Sequence, residues 1–409
     1  MPRFEPFTGL RYSHSHVRSL GDVLCPPYDV ISDPERAALA GRHPANVVRL
    51  ELPVDDIETS VDDGERGKTD RYEIAARLLD AWRDGGILHR DQVPAFYGYR
   101  MSFHDASGAP RQTIGVVGAL GLEPPGSGIL PHEETTPKAK TDRLELLRAT
   151  RTNLSPIWGL TPSSGIGAMT QAPAHAADHA DDDDRVLHEL WPITDPASVE
   201  GIRTAVESQP VLIADGHHRF ETALNYLRER EDDGAAGEAD RYVMALIVEL
   251  SPEHLTVQAI HRLVSGLPAG FDLPASLDKW FDVTPTAPVD RTITTRMDEA
   301  GAIAVLTRSG AWLARPRDSV SGTATHDLDS SRLDVALAGL PDHQLAFQHG
   351  WDNCAAAVAA GRADAAVLLR PASVEQIASI SRGGVRMPPK TTFFWPKPRT
   401  GMVIRELNA

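Results

Sequence analysis

The sequence predicts an α+β protein: a mixed α/β core with further α/β regions on its N-terminal and C-terminal sides. Three observations carry this. The first is a strand, turn and helix at residues 211–227. The apolar run Val211-Leu212-Ile213-Ala214 stops at Asp215-Gly216, and Phe220, Ala223, Leu224 and Leu227 then recur at helical spacing. The second is the pair of apolar runs at 95–103 (AFYGYRMSF) and 114–122 (IGVVGALGL), separated by a polar turn at 105–108. The third is a change of texture near residue 266, after which Ala, Asp and Thr become more frequent. Three regions are therefore expected: 1–110, 111–265 and 266–409.

The other elements follow in order. Pro26-Pro27 fixes the backbone before Tyr28 and Asp29, as in a rigid turn that enters a helix near Pro34. Tyr72, Ala75, Ala76, Leu78, Leu79 and Trp82 form an apolar helical stripe that ends at Gly85-Gly86. Pro124, Pro125, Gly126 and Gly128 break the chain, and a polar loop with His132, Glu133 and Lys138 follows. A helix is expected over 142–152, then a loop over 163–184 whose acidic end, 178–184, reads as a mobile surface loop. A short strand at 190–193 leads to a helix over 195–206 with Pro196 in its first turn. Residues 242–250 (YVMALIVEL) read as a buried strand. In the last region, strands are expected at 302–307 and 365–369 and a helix at 355–360. The segment 387–397 holds three aromatics between prolines and lysines, and is expected to fold back on the central region and close a site there.

Composition narrows the classes of function. A chain of 409 residues has room for two or three domains, and 41% hydrophobic residues suffice for a sizeable core. No run reaches the ~20 apolar residues of a membrane span. The first residues lack the apolar stretch of a signal peptide, and Cys25 and Cys354 make no metal-like pair. A cytoplasmic protein with reduced thiols is expected. A net charge of −16 argues against extended contact with nucleic acid, which needs a basic face. It leaves room for a small phosphorylated ligand in a local basic pocket. The oligomeric state stays open, a homodimer included.

Asp215-Gly216-His217-His218-Arg219 stands where the strand hands over to the helix. A helix start offers backbone N–H groups without intrahelical partners and the positive end of a dipole. Imidazoles and a guanidinium there make a seat for phosphate. The plainer alternative is that Asp215 caps the helix and the histidines are solvated. His132 and Glu133 offer a general base or metal ligand, or else a loop with a helix cap. His261-Arg262 and the stiffened basic segment with Lys390, Thr391, Thr392 and Lys397 are further candidates. There is no glycine-rich phosphate loop ending in Lys-Ser/Thr, no dinucleotide glycine fingerprint and no nucleophile elbow.

The strings CPPYDVI (25–31), NVVRLELP (46–53), PHEETTPKAKTDRLELLRATRTNLSPIWGL (131–160), LWPITDP (190–196), IADGHHRFETALNY (213–226), HRLV (261–264) and MPPKTTFFWPK (387–397) resemble the family catalogued as domain of unknown function 1015, over nearly the whole chain. Phe220 and Phe394 stand where that family often has tyrosine. The stretch 196–226 is also similar to the ParB/sulfiredoxin fold, and Asp-Gly-His-His-Arg resembles the turn of free serine kinases. A sulfiredoxin would need a cysteine in that turn, and a partition protein a basic DNA-binding domain. The resemblance therefore implies a nucleotide-binding core over 111–265 and a small-molecule kinase. ATP or ADP would be the donor, with Mg²⁺, and free L-serine the foremost acceptor; the alternative is a non-catalytic nucleotide-responsive protein. On this basis Gly216, His217, His218 and Arg219 would hold the nucleotide phosphates, and Asp215 would bind Mg²⁺ or orient a histidine. Glu133, with His132 beside it, would be the base, with Glu51 and Asp29 as rivals. Arg262, Lys390, Thr391, Tyr28 and Asp29 would meet the acceptor.

Overall fold

The computed structural model describes residues 1–54, 70–105, 108–124, 126–131, 137–170, 178–382, 387–388 and 390–407. The chain divides into two compact units, residues 1–255 with 396–409, and residues 256–395. The expected boundary at 110 falls inside a β-hairpin, because Phe96–His104 and Pro110–Gly121 pair antiparallel across it. The later boundary lies after Leu255, and the last residues return to the first unit. The change of texture near 266 lies about eleven residues past the boundary after Leu255.

The first unit is built on a mixed sheet with nine strands among the described residues. Its order is Ile129–Pro131, Val211–Asp215, Ile157–Thr161, Tyr242–Glu249, Pro110–Gly121, Phe96–His104, Leu187–Ile193 and Asp178–Asp181, with Phe4–Glu5 also on Pro110–Gly121. Val211–Asp215 runs parallel to Ile129–Pro131 and antiparallel to Ile157–Thr161. Helices pack on the sheet through the apolar stripes that the spacing predicts. In Pro196–Glu207, Asp195 accepts the Ser198 N–H at 2.9 Å, Pro196 sits in the first turn, and Ile202 and Val206 are buried. Its packing partners include Val211 and Ile213 of the site strand. In Arg71–Asp84, Asp70 caps the start and Tyr72, Ala75, Leu79 and Trp82 face inward. Gly98 has a physical reason within its strand: a Cβ there would lie 2.2 Å from the indole of buried Trp191.

The acidic run corrects an expectation. Asp178–Asp181 is an edge strand paired with Leu187–Ile193, not a mobile loop. Its charges are neutralised within the fold. Asp178 accepts from Arg11 at 2.6 Å and pairs with His14 at 2.8 Å, while Asp182 binds His188 at 2.9 Å and also Arg399. Arg11, His14 and Arg399 are distant in sequence, so local charge density misled the reading.

The second unit is built on an antiparallel sheet with six strands among the described residues. Its order is Phe281–Thr286, Gly310–Pro316, Ile303–Thr307, Ala365–Leu368, His261–Ser265 and Gln344–Gln348. Alternation along each strand supplies two cores. Ile303, Val305 and Val367 meet Leu273, Leu277 and Leu333 on one face, and Ala304, Ala366 and Leu368 meet Ile293, Met297 and Val358 on the other. A separate ribbon pairs Thr256–Ala259 with Thr392–Trp395.

One buried and one half-buried histidine make a prediction about acid. Burial lowers the proton affinity of His188, and burial with the neighbouring charge of His349 takes His261 from 6.5 to about 4. His261 Nδ1 accepts the Leu369 N–H at 3.2 Å, which requires an unprotonated nitrogen. The unfolded chain therefore binds these protons first as pH falls below about 6.5, and stability declines from there toward pH 4. A loss on the order of 1–3 kcal/mol is expected. Thermal melts between pH 7.5 and 4.5 check this; an unchanged Tm across that range would refute it.

Candidate active site at the Asp215 turn

The apolar strand Val211–Asp215 delivers the turn, and its register sets what surrounds it. Asp215 lies opposite Trp158, and Pro131 lies beside Ile213 in parallel register. The chain thus passes into residues 132–136 from the end of the strand that neighbours the Asp215 turn. His132 and Glu133 themselves lie outside the described residues. Gly216 is the N-cap of the helix His217–Asp232, with φ 87° and ψ 27°, in the left-handed region that suits glycine. Space there is also tight, since a Cβ at Gly216 would sit 3.1 Å from the Arg219 guanidinium. Asp215 is therefore not the helix cap. The cap position itself carries no side chain.

Asp215 instead binds two cations. Arg219 Nη2 donates to its Oδ2 at 2.9 Å, and the Lys397 ammonium donates to Oδ1. All three side chains are close to fully buried. Burial by itself would raise the Asp215 pKa, but Lys397 and Arg219 outweigh it and hold the carboxylate at about 2. Lys397 belongs to the first unit, so this end of the C-terminal segment does reach the turn. Arg219 also donates to Ser155 Oγ at 3.1 Å and to the Pro156 carbonyl, while its Nε is buried without a hydrogen-bond partner.

Beside Arg219 lies a small cavity of about 60 Å³ with a mixed polar and apolar lining. Glu51, Arg143, Asn153, Ser155 and Thr222 line it. Glu51 comes from the short helix Val48–Glu51, Arg143 from Pro137–Thr150, and Thr222 from the helix that the turn begins. Arg143 Nη1 donates to the Glu51 carbonyl at 2.7 Å and stands 3.8 Å from its carboxylate, and Ser155 Oγ reaches that carboxylate at 3.4 Å. Burial raises the Glu51 pKa against the opposing charges of Arg143 and Arg219. Thr222 Oγ1 is buried without a partner. Tyr28 faces Arg143, whose guanidinium carbon is 4.4 Å from its ring centre, and burial pushes the phenol up to about 12. Asp29 is exposed, and its charge acts on both Arg219 and Tyr28.

His217 is buried and His218 half-buried in the first turn of the helix. The remaining candidates meet in the second unit. Arg262 is buried and donates from Nη1 to the carbonyls of Ile260 and Lys390 at 2.8 and 3.0 Å. Thr391 donates to the Pro388 carbonyl and pairs with Ser330. Lys390 is exposed, with φ 57°. Sequence reasoning missed Arg143, Ser155 and Thr222. One signal was present: Glu51 is a carboxylate inside the apolar run 47–52, where only burial with a partner makes sense.

The residues do not fit Mg²⁺ at Asp215. Both carboxylate oxygens accept from cations, and among the described residues no three His, Cys, Asp or Glu side chains are grouped to hold a metal ion. Asp215 is better described as the post that holds Arg219 and Lys397 in place. Both cysteines are unbridged and buried. No helix among the described residues is long and apolar enough to cross a membrane.

A family model described as "Protein of unknown function (DUF1015)" matches residues 4–336. The chain belongs to this family. No curated protein matches this DUF1015 chain. Among solved structures, a conserved hypothetical protein from Pyrococcus furiosus is similar over 69% of this chain and 93% of its own, at 14% identity and a TM-score of 0.35. A free serine kinase in complex with AMP is similar over 67% of this chain and 89% of its own, at 13% identity and 0.35. SbnI from Staphylococcus aureus, truncated at its C-terminus, is similar over 70% and 87%, at 10% identity and 0.36. Likenesses this distant carry no argument about what the DUF1015 chain binds.

Proposed function

We propose that this chain is a small-molecule kinase with a ParB/sulfiredoxin-like core. It moves a phosphoryl group from a nucleotide, ATP foremost and ADP second, to the hydroxyl of a small metabolite, with free L-serine the leading acceptor. The observation that carries the proposal is the Gly216 helix start, with Arg219 held beside it by Asp215 and a small cavity that Glu51 and Arg143 help to line. Phosphoryl transfer needs alignment, charge neutralisation and an acceptor for the hydroxyl proton. The first-turn amides with His217 and His218 supply the phosphate seat. Arg219 fixes the turn and adds positive charge.

The cavity supports a small acceptor. About 60 Å³ beside Arg143, Glu51, Ser155 and Thr222 suits part of a compact polar molecule, not a polymer. For the base, Glu133 with His132 remains the assignment that the family motif favours. Glu51 is the rival with defined surroundings, because a buried carboxylate of raised pKa accepts a proton more readily near neutral pH. Tyr28 and Asp29 would border the acceptor, and Arg262, Lys390 and Thr391 remain candidates for contact with it.

The test is direct. Protein, ATP with Mg²⁺ and L-serine should yield phosphoserine and ADP by mass spectrometry. A panel of other small hydroxyl compounds covers the choice of acceptor. Nucleotide binding with no transfer to any of them would favour the non-catalytic, nucleotide-responsive reading. Arg219→Ala should weaken ATP binding by about 1.5–3 kcal/mol, the scale of a charge-assisted hydrogen bond. Equal affinity by calorimetry in a folded variant would remove the turn from the site.

A further inference from the structure

The six-stranded sheet of the second unit has two unlike edges. One edge is Phe281–Thr286, which carries Asp282 and Pro285. Proline donates no hydrogen bond, and a charge on an edge opposes a second strand, so this edge is protected against pairing. The other edge is Gln344–Gln348, sequence QLAFQ, with neither a charge nor a proline. Its inner side pairs with His261–Ser265, and among the described residues no strand pairs with its outer side. Gln344, Leu345, Ala346 and Phe347 are all exposed, so the strand stands clear of cover on both faces of the sheet. Leu345 and Phe347 are two of the few large apolar side chains left exposed, at 38% and 47%.

The sequence of this edge is self-complementary. An antiparallel pair of two such strands centred on Ala346 sets Gln344 opposite Gln348 of the second copy, and Leu345 opposite Phe347 of the second copy. Each apolar side chain then meets an apolar one, and each amide meets an amide that can both donate and accept. Nothing of like charge is brought together along the five residues. Arg262 lies across Phe347 from within its own copy, 4.7 Å from the ring centre, and so holds the ring in position beside the edge.

We propose that Gln344–Gln348 is a docking edge for a second copy of this chain, and that the two copies pair antiparallel about a two-fold axis at Ala346. The arrangement is isologous and closes as a dimer. Open growth would need this edge to pair with the opposite one, which Pro285 and Asp282 obstruct. A five-residue contact is far smaller than the ~1,600 Å² of a standard interface, so the dimer should be weak, with a Kd of about 10–100 μM.

Sedimentation velocity on the full chain, from about 1 to 200 μM, tests this range. The weight-average mass should rise with concentration from the 44.4 kDa monomer toward twice that value. Ala346→Lys places two ammonium groups against each other at the axis and should weaken the dimer at least about tenfold, the effect of an edge charge. Ala346→Val keeps the edge apolar and should preserve it. Melting temperatures check that both variants fold, and Ala346 is exposed, so neither disturbs a core. A monomer at every concentration overturns the proposal. So does a dimer that Ala346→Lys leaves intact.

Discussion

Asp215→Ala is expected to destabilise the first unit by about 3–5 kcal/mol, the cost of leaving buried charges without their partner. The carboxylate lies between two cations, Arg219 and Lys397, and all three are nearly buried. Removing it leaves two positive groups facing each other where water cannot screen them. Arg219 keeps Ser155 and the Pro156 carbonyl, which limits its share of the loss. A second substitution separates the contributions. Lys397→Met in the Asp215→Ala background removes one of the two facing cations and should recover part of the loss. Denaturant titrations of the two single variants and the double variant measure this. A single variant within about 0.5 kcal/mol of wild type would mean the triad holds nothing together, since that is the usual scale for surface changes. Acid gives an independent check. The folded-state pKa of Asp215 is about 2, below its ordinary 3.8, so its contribution is complete above about pH 4 and disappears as pH falls through about 2.

Glu51→Gln is expected to lower phosphoryl transfer by roughly 10²–10⁴-fold if Glu51 is the base, and Glu133→Gln by that factor if Glu133 is. Both substitutions keep shape and remove the basic oxygen. Nucleotide affinity should change little in the variant that loses the base, because neither carboxylate belongs to the phosphate turn. The two outcomes are distinguishable. Glu51 is buried beside Arg143, so its variant must first be shown to melt near the wild-type temperature. A large loss of turnover in a folded Glu51→Gln protein, with Glu133→Gln near normal, assigns the base to the cavity. The reverse assigns it to the loop at 132–136. Near-normal turnover in both would move the base to Asp29.

The parts of the site that were legible in the sequence are those encoded locally. The apolar run before Asp215 and the helical spacing after Gly216 specify the turn within seventeen residues, 211–227. The helix at Arg71–Asp84 and the strand at Tyr242–Glu249 were legible for the same reason, since periodicity and end signals lie within each element. The acidic run 178–184 was misread because two of its neutralising partners, Arg11 and Arg399, come from other parts of the chain. Arg143 and Thr222 were missed because each looks like an ordinary polar residue on a helix. Only the approach of those two helices turns them toward one cavity with Glu51.

By itself, the sequence determined the class of fold, the strand–turn–helix with glycine at its hinge, and the presence of a stiff aromatic C-terminal segment. Tertiary structure decided how that segment is shared: Thr392–Trp395 pairs within the second unit, whereas Lys397 reaches Asp215 in the first. It also decided what Asp215 is for. A carboxylate at a helix start reads as a cap or a metal ligand from its neighbours in sequence. Here a lysine from the C-terminal segment and an arginine one turn along take both of its oxygens. The physical reason is the range of the forces. Backbone preference and hydrophobic periodicity act over a few residues and can be read in order. The pairing of buried charges depends on which distant groups the sheet register brings within hydrogen-bonding distance after water has been excluded.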